Sequence, residues 1–119
     1  METTINVKLI AAKIADKVKI TVMAETEYLD YTKEYDKEVV ESIKKMKKQY
    51  GLWGWCSVEV KGEYKGIESS EYLSGCSYKG KRDFIETSGY YDDMKASIID
   101  DIAKQLLELI SDFITEIPV

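Results

Sequence analysis

The sequence predicts an α+β domain: an antiparallel sheet of three to four strands, one helix between strands two and three, and a long C-terminal amphipathic helix packed on the sheet. Three observations carry this. Alternating apolar residues mark strands at Ile5–Ala11, Val18–Ala24 and Cys56–Val60, a capped amphipathic stretch begins at Asp36, and a helical apolar stripe runs through the last 26 residues up to Ile117. A chain of 119 residues suffices for one core, and without repeat or linker residues 1–119 read as a single domain.

Ile5, Val7, Leu9 and Ala11 alternate with Asn6, Lys8 and Ile10, and Val18, Ile20, Val22 and Ala24 alternate with Lys19, Thr21 and Met23. The two runs read as an antiparallel hairpin. Residues 4 to 14 also satisfy helical spacing through Ile5, Leu9 and Ala12, so a helix is the competing reading. Residues 25–38 hold six acids and three tyrosines (Tyr28, Tyr31, Tyr35) with no apolar period, which reads as a strand end and a loop. Tyrosine offers large contact area at low entropy cost, so Tyr31 and Tyr35 are candidate partner-binding residues; a solvated loop folded on the sheet is the plain alternative.

The helix after Asp36 has a good N-cap, an apolar stripe of Val39, Ile43, Met46 and Tyr50, early acids, late lysines, and Gly51 as its C-terminal stop. Complementing the helix dipole accounts for the lysines without a ligand. In the following strand Cys56, Val58 and Val60 share one face. Trp53 and Trp55 fall on the other, so they need a cover or are exposed as contact residues. Gly62 and Gly66 punctuate the run as a bulge or a turn into a second, irregular strand. From Ile67 to Gly89 periodicity is weak, with a short helix expected over Lys81–Thr87. Gly75, Gly80 and Lys81 match P-loop spacing, but Arg82 stands where a magnesium-binding hydroxyl belongs and no buried strand precedes it.

In the last segment Ile98, Ile99, Ile102, Ala103, Leu106, Leu107, Leu109, Ile110, Phe113, Ile114 and Ile117 take one half of the helical wheel. Asp100, Asp101, Glu108 and Asp112 lie on the other half, and Pro118 ends the helix. From Asp92 to Ile117 such a helix runs roughly 39 Å, more than the roughly 30 Å diameter of a small domain. It therefore bends, crosses the whole sheet, or projects into a partner. Self-association through its wide apolar arc is a second reading, which makes a homodimer one expected assembly.

Chemistry is sparse. The chain has no histidine, which removes the commonest general base and a frequent metal ligand. Carboxylate pairs such as Glu59 with Glu63 and Glu68 with Glu71 are not distinguished from surface acids, and the acids show no EF-hand spacing. The sequence therefore predicts neither catalysis nor a cofactor or metal. Twenty-two acids against 17 bases give a net charge of −5, which opposes broad attraction to nucleic acid. No run of 18 apolar residues and no secretion signal is present, so the expected compartment is the cytoplasm, with Cys56 and Cys76 as reduced thiols.

Trp53-Gly54-Trp55-Cys56, then YLSGCSY at Tyr72–Tyr78 and GYYDDM at Gly89–Met94, together resemble a pattern of small phage and prophage proteins of Gram-positive bacteria. That resemblance covers residues 53 to 94 and carries over no catalytic residue. It implies a biological setting: small acidic phage proteins without enzymatic signatures are often inhibitors of host defence, anti-CRISPR proteins among them. The expected function is a non-enzymatic inhibitor that binds a host defence protein such as a CRISPR effector. The expected contact residues are Tyr31, Tyr35, Trp53, Trp55, Asp100, Asp101, Glu108 and Asp112. The alternative is a homo-oligomeric phage accessory or structural protein assembled through the C-terminal helix.

Overall fold

A computed structural model describes residues 6–116. Its elements are α1 (Val7–Ile14), β1 (Lys19–Glu25), α2 (Tyr31–Glu34), α3 (Lys37–Tyr50), a 3-10 turn (Gly51–Gly54), β2 (Cys56–Tyr64), β3 (Ile67–Cys76), α4 (Lys81–Thr87) and α5 (Tyr91–Glu116). The three strands form one antiparallel sheet in the order β1-β2-β3, and α5 packs on it. The α+β expectation therefore holds, with the smaller of the two strand numbers.

The N-terminal hairpin does not form. Residues from Val7 onward are helical, the competing reading, because the Asn6 side chain accepts the Leu9 amide at 2.9 Å and caps the helix. Ile5 lies outside the described residues, as do Ile117 and Pro118. β1 pairs instead with β2, Val22 opposite Val60, across the helical insertion that separates them. Of the two readings at Gly62 and Gly66, a bulge or a turn into a second, irregular strand, the turn forms, and the weakly periodic stretch after it begins with a full strand, Ile67–Cys76. β3 lies at a sheet edge, and its inner face carries Ser69 and Glu71 as well as Leu73, so the apolar alternation is blurred. Glu71 is accommodated there by the Ser97 hydroxyl of α5, which donates to its carboxylate at 2.5 Å. The two-residue turn Lys65-Gly66 joining β2 to β3 has φ of 49° and 84°, the pair of positive angles a tight hairpin needs.

Asp36 caps α3 through the Val39 amide at 3.1 Å, and Gly51 ends it at φ 61°. α4 spans the predicted Lys81–Thr87, and Phe84 from it is fully buried. The core lies between the inner sheet face (Val22, Val58, Val60) and α5 (Ile98, Ile99, Ile102, Ala103). Gly62 sits under α5, where a Cβ would overlap Ile98 and come within 3.1 Å of Val18 Cγ1. Only glycine lets the helix approach the central strand this closely.

α5 begins near the end of the sheet that holds Cys56 and Cys76. By Gln105 it has reached the turn end, where the amide Nε2 donates to the Glu68 carbonyl at 3.1 Å. Residues beyond that point project past the sheet. The molecule measures 68 × 23 × 21 Å. α1 packs chiefly along α5. The outer sheet face, with Lys61 paired to Glu68 at 3.2 Å and Tyr72 donating to Glu59 at 2.6 Å, has its side chains exposed or half-buried.

Candidate functional site

Three of the predicted contact residues meet at the Cys56/Cys76 end of the sheet. Asp30 caps the short helix α2, accepting from the Thr32 amide at 3.0 Å and the Thr32 hydroxyl at 2.5 Å. Those bonds hold the Asp30 carboxyl below the usual carboxylate range. The cap fixes the start of a turn in which Tyr31 and Tyr35 are four residues apart, and the Tyr35 amide closes it on the Tyr31 carbonyl at 3.3 Å. Both rings meet Trp55 edge-on, at centroid separations of 5.4 and 6.1 Å. The Trp55 indole N–H donates to the Leu29 carbonyl at 3.2 Å, and the Lys47 ammonium of α3 lies 5.5 Å from the Tyr31 ring centroid.

The end of β3 completes the cluster. Gly75, at φ 68°, would place a Cβ 3.5 Å from the Trp55 ring and 3.8 Å from the Tyr35 hydroxyl, and its amide donates to Glu27 at 2.8 Å. Trp55 is buried at 7% exposure and forms the floor; Tyr28 at 91%, Tyr35 at 41% and Leu29 at 40% form an exposed aromatic and aliphatic rim. Around the rim, the run from Glu25 to Asp36 carries five acids and one lysine. A buried indole under exposed tyrosines, edged by acids, is a surface suited to protein recognition.

The other predicted contact residues lie elsewhere. Trp53 is half-buried, tilted against the buried Phe84 at 6.3 Å, and its carbonyl accepts the Tyr78 amide at 2.8 Å. Its role is to close the core. On α5, half-buried Asp100 pairs with Lys104 at 3.2 Å, and exposed Asp101 accepts at 3.1 Å from the Gln105 amide that also donates to the Glu68 carbonyl at the turn end of β3. Glu108 and Asp112 are exposed on the projecting part of α5, far from the aromatic cluster. Sequence reasoning passed over Leu29, Gly75 and Lys47, which join the cluster only through tertiary contact. Tyr28 was visible in the tyrosine run.

The remaining chemistry is structural. The P-loop-like residues do run from the end of β3 into α4, but β3 is an antiparallel strand, the Lys79 amide donates to the Asp83 carboxylate at 2.9 Å, and Arg82, in place of a magnesium-binding hydroxyl, pairs with Glu86 at 2.8 Å, so the segment lacks the features of a phosphate cradle. Glu68 and Glu71 project to opposite faces of β3. Among the described residues no three acidic, cysteine or histidine side chains are grouped to hold a metal ion. Cys56 and Cys76 are opposite one another in the β2–β3 register, free and buried. Burial pushes their thiols up, to about 11 and about 12. Such thiols are poor nucleophiles at neutral pH.

Comparison with known protein families, with curated proteins and with solved structures finds no match to this chain.

Proposed function

We propose that this protein is a non-enzymatic binder from a phage or mobile element that inhibits a host defence protein, of the kind anti-CRISPR inhibitors represent. The observation that carries the reading is the aromatic cluster. Tyr31 and Tyr35 brace the buried Trp55, while Tyr28, Leu29 and Tyr35 stay open to solvent among acids. A rigid floor lowers the entropy cost of ordering the rim on binding, and the acids favour a basic partner surface, such as one built to hold nucleic acid. The resemblance of residues 53 to 94 to small phage proteins supplies the host-defence setting. No helix of the described residues is long and apolar enough to cross a membrane.

The test is inhibition in vitro. Added in excess to purified CRISPR effectors loaded with guide RNA, the protein lowers cleavage of at least one of them with one-to-one stoichiometry per contact site. Full cleavage by every effector of the panel overturns the assignment to that class of target.

A further inference from the structure

A second surface lies at the opposite end of the molecule. In the projecting part of α5, Leu109 is 57% exposed, Ile110 37%, Phe113 66% and Ile114 60%, so among the described residues they are covered only in part. They continue the stripe that is buried at Ile98, Ile99, Ile102 and Ala103. The helix thus carries its core face out of the core.

We infer that the projecting end of α5 pairs with the same helix of a second copy, in a two-fold antiparallel contact. Area is the first reason. Taking about 200 Å² for each fully bared side chain, these four leave on the order of 400 Å² of apolar surface in water. Two copies remove about 900 Å², and the part-exposed Leu106 and Leu107 bring the sum to about 1,100 Å², close to the roughly 1,200 Å² at which stable interfaces begin. Charge is the second. The apolar stripe contains no ionised group, Glu108 and Asp112 lie across the helix from it, and no Lys or Arg follows Lys104, so an anionic membrane surface is repelled and no basic partner is selected at the seam. A neutral, self-complementary stripe matches its own copy. Shape fixes the direction. Paired helices approach to about 8–10 Å. Parallel pairing would press together two bodies 23 × 21 Å in section, whereas antiparallel pairing sets them at opposite ends. The dimer then presents its two aromatic clusters outward, one at each tip.

The contact is independent of the aromatic-end reading, and its test does not involve that end. Sedimentation equilibrium of the full chain, from about 1 to 100 µM, resolves a concentration-dependent dimer. The expected mass at the upper end is twice the chain mass of 13.6 kDa. Phe113→Gln with Ile114→Gln, both on the exposed stripe, returns the mass to that of one chain with the helical circular dichroism and melting of the isolated chain intact. A wild-type chain that stays monomeric throughout overturns the inference, as does a double variant that dimerises like the wild type. Flotation of a monomer with phosphatidylcholine vesicles overturns it too, and assigns the stripe to lipid.

Discussion

The indole N–H of Trp55 donates to the backbone carbonyl of Leu29 across 3.2 Å, and this bond ties the residue that leads into the central strand to the tyrosine-bearing insertion. Leu29 and Trp55 are 26 residues apart. The bond and the two edge-on tyrosines thus close the aromatic end as one unit.

Trp55→Phe keeps most of the packing and removes the donor, which costs about 1 kcal/mol. Trp55→Ala removes the floor itself and costs about 3–5 kcal/mol. For a domain near this size each kcal/mol lowers Tm by about 4 °C. Thermal melts of the two variants therefore separate clearly, and equal melting temperatures would mean that Trp55 is not the support of this end.

Gly62→Ala should destabilise although it replaces a glycine within a strand. The gain in intrinsic strand preference is at most about 1 kcal/mol, whereas overpacking against Ile98 costs about 1–3 kcal/mol. Ile98→Ala in the same chain opens the space, so denaturant titration of the double variant should show less than the sum of the two single losses. Additive losses would place α5 farther from the sheet than it lies here.

The thiols provide a pH prediction. Ionisation of Cys56 and Cys76 is suppressed in the folded state, to about 11 and about 12, against an ordinary value of 9.0. The folded protein therefore holds more protons than the unfolded chain between these values, and stability falls as pH rises above about 9. Below that pH the contribution is fully present. The difference in stability between wild type and Cys56→Ala/Cys76→Ala should accordingly shrink or change sign from pH 9 upward. At pH 8 an aromatic disulfide reagent should leave both thiols of the native protein unmodified and react with both after denaturation. Rapid labelling of the native protein would contradict the burial.

Much of the frame was legible because local chemistry and tertiary structure agree at those residues. Asp36 and Gly51 bracket α3, Lys81–Thr87 form α4, and the alternation at Cys56–Val60 marks the central strand. Illegibility has specific physical sources. Val7, Leu9 and Ala11 alternate like a strand, yet the Asn6 cap and packing along α5 select a helix. The inner face of β3 carries half-buried Ser69 and Glu71, and α5 lies against it through the Ser97 hydroxyl bound to Glu71. At the candidate site the tyrosines and Trp55 were individually visible, but their meeting depends on tertiary contacts, among them the Leu29 carbonyl and the end of β3 at Gly75. Trp53 and Trp55 are two residues apart and have opposite neighbours, Phe84 for one and the tyrosines for the other. The apolar arc of α5 was read correctly as an arc; where the sheet stops beneath it, near Glu68, is a tertiary fact.

The most direct test of the account is a calorimetric titration of an inhibited effector with wild-type protein and with Tyr28→Ala/Tyr35→Ala. Tyr28 is 91% exposed and Tyr35 41%, so the fold tolerates the change better than a loss at Trp55. Rim tyrosines of this kind contribute about 1–2 kcal/mol each, so the double variant should bind about 30-fold or more weakly at an unchanged helical signal. Binding equal to wild type would contradict the assignment of the aromatic end as the contact surface.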